Sequence, residues 1–333
     1  QHEQGHEALC CFSSMQREGL SPNEVTYIGI LKACGITRDL SKGKQIHDEI
    51  IDKDLIKENI LIGTALVDMY AKCGRLAKAH GVLKQLPARD VVSWSTLIAG
   101  YAEEGRGHEA LNCIECMQRE GISPNEVTFV STLKACGSIG AVHEGEDVYA
   151  EIVKKGFLET NIFVGNSVVN MYTKFGNVSK AREIFDGLPF RDVISWTTLI
   201  AGYTEHGQCE EALKCFKEMQ EDTNVHPNAV TFVCILKACA TVGCLKIGEG
   251  IDAEVRKQGL LQSDVMLGTA LVDMYSKCGV IEKAHKVFQQ LPNKNVVSWN
   301  ALITGYAQLG HAMVVLDLYR TMKTEGVVPN LVT

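Results

Sequence analysis

Apolar residues recur along this chain at the spacing of one helix face. In VVSWSTLIAGYAEEG, which begins at Val91, residues Trp94, Leu97, Ile98 and Tyr101 fall at i, i+3, i+4 and i+7. Gly105 and Gly107 bracket a turn. A second helix is predicted over His108–Glu120, with Ala110, Leu111, Ile114 and Met117 on one stripe. Gly121 stops it and Pro124 lies beyond, as expected past a helix end. No segment alternates apolar and polar residues with period two, so no strand is predicted.

The pattern repeats. VVSWSTLIAGYAEEG at Val91 has partners VISWTTLIAGYTEHG at Val193 and VVSWNALITGYAQLG at Val296. EVTFVSTLKACGSIG at Glu126 has partners at Glu24 and Ala229, and NIFVGNSVVNMYTKFGN at Asn161 has partners at Asn59 and Asp264. The unit Val91–Asp192 spans 102 residues and divides into three modules of about 35, 36 and 31 residues, each sized for one helical hairpin. Self-similarity of this kind predicts a solenoid. The expected organisation is a partial module over 1–23, then modules at 24–59, 60–90, 91–125, 126–161, 162–192, 193–228, 229–264, 265–295 and 296–330. Another opens at 331–333. Both ends fall within modules, so the sequence reads as part of a longer protein.

Composition changes this picture little. A length of 333 residues would suggest two domains, but a repeat array grows without one globular core. The net charge of −7 argues against a broadly basic nucleic-acid binder, so any positive strip must be local. Of the thirteen cysteines, Cys34, Cys136 and Cys239 share one repeat position and Cys11, Cys113 and Cys215 another. They are expected to be buried, reduced, structural thiols. No apolar run is long enough for a membrane span.

At this level the chain resembles the pentatricopeptide repeat family, and more narrowly its plant-type subclass of alternating P, L and S modules. The motifs that carry the resemblance are SW(N/T/S)xLIxGY with a closing PN, TFxxxLKAC, and GxxLVDMYxKCG with LPxRD. The P modules start at Val91, Val193 and Val296, with a partial one at the beginning; the L modules start at Glu24, Glu126 and Ala229, and the S modules at Ile60, Ile162 and Val265. The resemblance implies an all-α fold, a right-handed α-solenoid superhelix of stacked helix-turn-helix repeats. It also implies binding of single-stranded RNA at one base per module.

In that family the readers are the fifth and last residues of a module. The corresponding pairs are Thr64 with Asp90 (implying G), Ser95 with Asn125 (A), Asn166 with Asp192 (U), Thr197 with Asn228 (A), Thr269 with Asn295 (A) and Asn300 with Asn330 (a pyrimidine). The P module from Val193 carries one extra residue near Asp222–Val225. The L modules place Ile28, Val130 and Val233 at the fifth position, where no hydrogen-bond reading is possible, so their bases stay open. With RNA running parallel, the implied target core is 5′-GANUANAY-3′. The second-position residues Val92, Ile194 and Val297 are either core or wedges between bases. Lys72, Lys174 and Lys277, at position 13 of the S modules, match the family's phosphate contacts, whereas the P modules carry Glu103, Glu205 and Gln308 there. Lys32, Lys134 and Lys237 recur in the L modules. Helix capping would also place Asn, Asp, Ser and Thr at module ends and helix starts, and a row of solvated lysines would look the same.

Enzyme chemistry is not expected in this segment, and neither is a cofactor or metal. His47-Asp48-Glu49 gives the HxE of a zinc deaminase without the PCxxC that would complete it, so His47 is expected at a helix surface. Cys113 and Cys116 form a CxxC with no second half. The resemblance implies guidance of C-to-U editing of organellar transcripts, in mitochondrion or chloroplast, with the deaminase outside this segment and accessory factors on the L modules. The alternatives are a protein-binding scaffold of tetratricopeptide type, or RNA stabilisation or splicing without editing.

Overall fold

The computed structural model describes residues 2–333, the side chains of His2, Lys57 and Glu58 excepted. It is all-helical, and no strand occurs among the described residues. The chain divides into two compact units, Gln1–Phe175 and Gly176–Thr333. The first holds α1 (His2–Arg17), α2 (Glu24–Thr37), α3 (Leu40–Asp52), α4 (Leu55–Glu58), α5 (Ile60–Lys72), α6 (Leu76–Gln85), α7 (Val91–Glu103), α8 (Gly107–Arg119), α9 (Glu126–Ile139), α10 (Val142–Lys154), α11 (Phe157–Thr160) and α12 (Ile162–Lys174). The second holds α13 (Val178–Gly187), α14 (Val193–Glu205), α15 (Cys209–Glu221), α16 (Ala229–Val242), α17 (Leu245–Lys257), a 3₁₀ turn at Leu260–Gln262, α18 (Val265–Lys277), α19 (Ile281–Gln290), α20 (Val296–Gln308) and α21 (Ala312–Thr324).

Each unit is built in two rows. In the first unit α2, α5, α7, α9 and α12 pack side by side in sequence order; in the second, α14, α16, α18 and α20 do so. The second helix of a hairpin packs on its own partner and on the following first-row helix, as α6, α8, α15 and α19 do. The reason is visible in α8, whose Ala110, Cys113, Ile114 and Met117 are all buried along one stripe, while Leu111 is only half-buried. Burying such side chains contributes about 1.5–3 kcal/mol for each large one. First-row helices are apolar nearly all round, because neighbours cover both flanks: α7 buries Trp94, Leu97, Ile98, Tyr101 and Ala102.

Two close approaches fix the S modules. A Cβ on Gly63 would stand 2.2 Å from Leu86 Cδ2, and one on Gly268 would stand 2.2 Å from Leu291 Cδ2. The leucine of each Leu-Pro pair therefore plugs into a glycine notch on its own module's first helix. The L modules depart from a plain hairpin. Their additional residues form α4, α11 and the Leu260–Gln262 turn, and these bury Ile56 and Leu261 and set Phe157 edge-on to Phe129 at 5.6 Å between centroids.

Tyrosines knit successive modules. Tyr70 OH pairs with His47 Nδ1 at 2.8 Å, Tyr101 OH with His80 Nδ1 at 3.4 Å and Tyr306 OH with His285 Nδ1 at 2.9 Å. Tyr172 OH donates to Glu146 and Tyr275 OH to Asp252, both at 2.8 Å. His47 is thus half-buried in a module junction, a correction to its expected place on the helix surface. Polar alternatives at its repeat position (Tyr149, Asp252) disguised a socket whose constant half is the tyrosine.

Burial lowers the basicity of His47 and His80 below the ordinary value of 6.5. For His47, a buried Nε2 without a hydrogen-bond partner further disfavours the imidazolium. With folded values depressed, the unfolded chain binds more protons just below pH 6.5, so their contribution to stability is lost as pH falls from there. Melting temperatures from pH 7.5 down to about 5.5 should fall less steeply in the His47→Gln/His80→Gln variant than in the wild type.

Arg38 ends α2 in the left-handed region with φ 55°, where the equivalent turns use Gly140 at φ 69° and Gly243 at φ 78°. A non-glycine residue there carries a steric penalty of about 1 kcal/mol. Arg38→Gly is expected to raise the melting temperature slightly, and a fall would show that the arginine side chain stabilises the turn by more than the strain costs.

Candidate nucleic-acid interface

The expected reader residues sit at two linked places. The last residue of a module is the N-cap of the following first-row helix. Asp90 accepts from Ser93 N at 2.8 Å, Asn125 from Thr128 N at 3.0 Å, Asp192 from Ser195 N at 2.8 Å, Asn228 from Thr231 N at 3.0 Å and Asn295 from Ser298 N at 2.9 Å. Asn330 accepts from Val332 N at 3.0 Å. Capping is therefore real at every one of these positions, and it satisfies an amide that the helix itself cannot. It also orients the side chain. With one terminal oxygen held by the amide, the other terminal atom of the planar group is directed away from the helix end. That atom is an N–H donor in asparagine and an acceptor in aspartate.

The fifth residues lie one turn into the same row of helices. Ser95, Asn166, Thr197, Thr269 and Asn300 are buried and Thr64 is half-buried. Three of them are tied to the cap that closes their own module. Ser95 Oγ lies 2.6 Å from Thr128 Oγ1 and donates to Asn125 Oδ1 at 3.3 Å. Thr197 Oγ1 lies 2.7 Å from Thr231 Oγ1, which donates to Asn228 at 3.0 Å. Asn300 Nδ2 donates to Asn330 Oδ1 at 3.0 Å. Thr64 and Thr269 instead donate back to their own helix, to Ile60 O at 3.0 Å and Val265 O at 2.8 Å. Asn166 belongs to the first unit and Asp192 to the second, and each is described within its own unit.

Second-position residues are not core. Val92, Ile194 and Val297 are 52%, 50% and 58% exposed. The same holds where sequence reasoning assigned nothing: Val25, Leu61, Val127, Phe163, Val230 and Met266 are all exposed at the first turn of their helices. The signal was available, since each module has an apolar residue directly after its first, off the buried stripe. Last residues of the L modules were also missed. Asn59, Asn161 and Asp264 cap α5, α12 and α18, accepting from the amide two residues on, at 2.9, 3.0 and 2.9 Å.

The position-13 lysines are exposed near helix ends. Lys72 is ion-paired to Asp68 at 2.7 Å and Lys277 to Asp273 at 2.8 Å, in each case one turn back on the same helix. Lys32, Lys134 and Lys237 are exposed too. Among the described residues no group of three His, Cys, Asp or Glu side chains is placed to hold a metal. All thirteen cysteines are free. Burial pushes the thiols of Cys34, Cys113, Cys136, Cys215 and Cys239 up to about 12, which makes them poor nucleophiles. Cys11 is exposed, unlike Cys113 and Cys215 at the same repeat position, because α1 packs chiefly on α2.

Stacked helical hairpins with a capping Asn or Asp and an exposed apolar residue at each first-row helix start define a helical-repeat binding protein. Family models place it further. The model described as the PPR repeat family matches residues 89–138, 191–241 and 294–333, and the PPR repeat model matches 64–91, 166–192 and 269–296. Together these segments span more than half of the sequence, and the chain belongs to the pentatricopeptide repeat family. A chloroplastic pentatricopeptide repeat-containing protein of Arabidopsis thaliana is 40% identical over 97% of this chain and 52% of its own length. A mitochondrial one from the same plant is 34% identical over 98% of this chain and 50% of its own length. The chain thus spans about half the length of the curated relatives it matches. Among solved structures it is similar to the pentatricopeptide repeat protein PPR10 in complex with an 18-nucleotide psaJ RNA element, with a TM-score of 0.80 at 16% identity, covering 98% of this chain and 49% of that one. The fold is the α-solenoid of that protein.

Loss of a cap should be felt without any ligand. Asn125→Ala is expected to cost about 1 kcal/mol of unfolding free energy in urea, whereas Asn125→Asp, which can accept the same amide, should leave stability nearly unchanged.

Proposed function

We propose that this chain binds single-stranded RNA at one base per module and acts in organellar RNA processing. The single observation that carries the reading is the cap geometry. Because the capped amide holds one oxygen of each last residue, Asn125, Asn228 and Asn295 present an N–H donor, and Asp90 presents a carboxylate oxygen. Adenine and cytosine offer a ring-nitrogen acceptor on their pairing edge, whereas guanine and uracil offer a ring N–H. Asparagine caps therefore suit A or C and aspartate caps suit G or U. The fifth residue, behind the cap, narrows the choice within each pair. Exposed second-position side chains supply apolar surface against which bases stack. Phe163, the aromatic one, should contribute most, since aromatic stacking is worth about 1–3 kcal/mol per base.

The three-phase alternation supports membership of the P-L-S subclass, and within it guidance of C-to-U editing, the deaminase lying outside this segment. Chloroplastic and mitochondrial names among the relatives support an organelle. PPR10, whose structure contains an RNA element, supports the ligand class.

The test is a titration with RNA carrying 5′-GANUANAY-3′ and with a copy whose A opposite Ser95 and Asn125 is replaced by G. Wild type should prefer the first by about tenfold, the size of one good base contact, and Asn125→Asp should reverse that preference without loss of stability. It should be run at two salt concentrations. Equal binding of both RNAs by both proteins would sink the reader assignments. Failure of the folded protein to bind either RNA would favour the protein scaffold.

A further inference from the structure

In two of the three S modules the lysine best placed for a phosphate already has an anion. Lys72 Nζ lies 2.7 Å from Asp68 Oδ2 and Lys277 Nζ 2.8 Å from Asp273 Oδ2. Both lysine side chains are 48% exposed, so the pairs face solvent. The third S module has Asn170 at the corresponding position, four residues before Lys174. An amide there cannot neutralise an ammonium.

The lysine stems are also seated. A Cβ on Gly35 of α2 would lie 3.1 Å from Lys72 Cδ, and one on Gly137 of α9 would lie 3.4 Å from Lys174 Cβ. The glycine of each preceding L helix therefore lets the lysine stem lie across it, which limits where the ammonium can go. For Lys277 the equivalent residue is Ala240, which is buried.

We infer that Asp68 and Asp273 are built-in competitors for the RNA backbone, and that they grade phosphate affinity along the array so that Lys174 is its strongest phosphate anchor. The inference rests on the RNA reading above. An aspartate one turn before a lysine is in the favourable orientation for pairing along a helix. An exposed pair of this kind is weak, so a phosphate can displace the carboxylate. The displaced carboxylate stays on the same helix face and repels the incoming anion. Competition of this type lowers affinity without abolishing it, and it acts equally on every base.

The experiment is equilibrium binding of fluorescein-labelled RNA containing GANUANAY at low and high salt, with folding checked by circular dichroism. Asp68→Asn and Asp273→Asn should each tighten binding about two- to fivefold at low salt, the range of an exposed ion pair, and Asn170→Asp should weaken it by a similar factor. High salt should shrink all three effects, and the dependence on salt should steepen in the Asn variants as a lysine is released for counterion exchange. In a Lys72→Ala background, Asp68→Asn should change affinity little. The inference is overturned if wild type binds and Asp68→Asn does not bind tighter, or if the gain survives removal of Lys72. No binding by folded wild type would overturn the RNA reading itself, and this inference with it.

Discussion

The hydrogen bond from the third amide of each first-row helix to the Asn or Asp before it organises much of this molecule. It decides where the helix begins, and so which residue is second, which is fifth and how both are aimed. It also uses one terminal oxygen of the cap and leaves the other terminal atom outward. Asp90 and Asn125 make the same bond, at 2.8 and 3.0 Å, and differ only in what they leave outward. A structural contact and a chemical label therefore share one side chain. Asp-for-Asn variation is nearly free for the fold, so the array can change its outward pattern without changing its architecture.

Exposed second-position residues point the same way from energetics. Leaving an aliphatic or aromatic side chain in water forgoes about 1.5–3 kcal/mol relative to burial, and this chain does so at the first turn of helix after helix, from Val25 to Val297. Solubility would favour polar residues there, and the helix start would accept them. Apolar surface at regular spacing beside oriented donors and acceptors suits flat, edge-reading ligands such as bases better than it suits a protein partner, which would bury one contiguous patch.

The helical fold was legible because its cause is local and periodic. Trp94, Leu97, Ile98 and Tyr101 mark a face wherever the motif recurs, and the repeat does the rest. Details that depend on what lies opposite a residue were not legible. His47 read as surface because its repeat partners are Tyr149 and Asp252, yet all three positions meet the tyrosine of the next module: His47 and Asp252 hydrogen-bond Tyr70 and Tyr275, and Tyr149 stacks edge-on to Tyr172. The short helices α4 and α11 have too few residues to show a period. Capping and base reading could not be separated from sequence because they call for the same residue types, and the structure gives the reason: Asn125 caps α9 while remaining in contact with Ser95.

The L modules differ from the others in a connected set of ways. Where the P and S modules carry Tyr70, Tyr101, Tyr172, Tyr203, Tyr275 and Tyr306, the L modules carry Cys34, Cys136 and Cys239, each fully buried. A thiol is too short to reach across a junction as the tyrosine hydroxyl does, so a different contact must join an L module to the module before it. The fifth residues Ile28, Val130 and Val233 are half-buried or buried and apolar, extending the core to the place where other modules keep a polar group. Closer apolar packing, no tyrosine bridge and an added helical turn at the end make these modules structural joints more than readers. Their exposed Lys32, Lys134 and Lys237 still add positive charge without base preference. That division of labour explains how a chain of net charge −7 can hold an anionic strand: the lysines recur on a few fixed helix positions, and the acidic excess is spread over the remaining surface, where salt screens it.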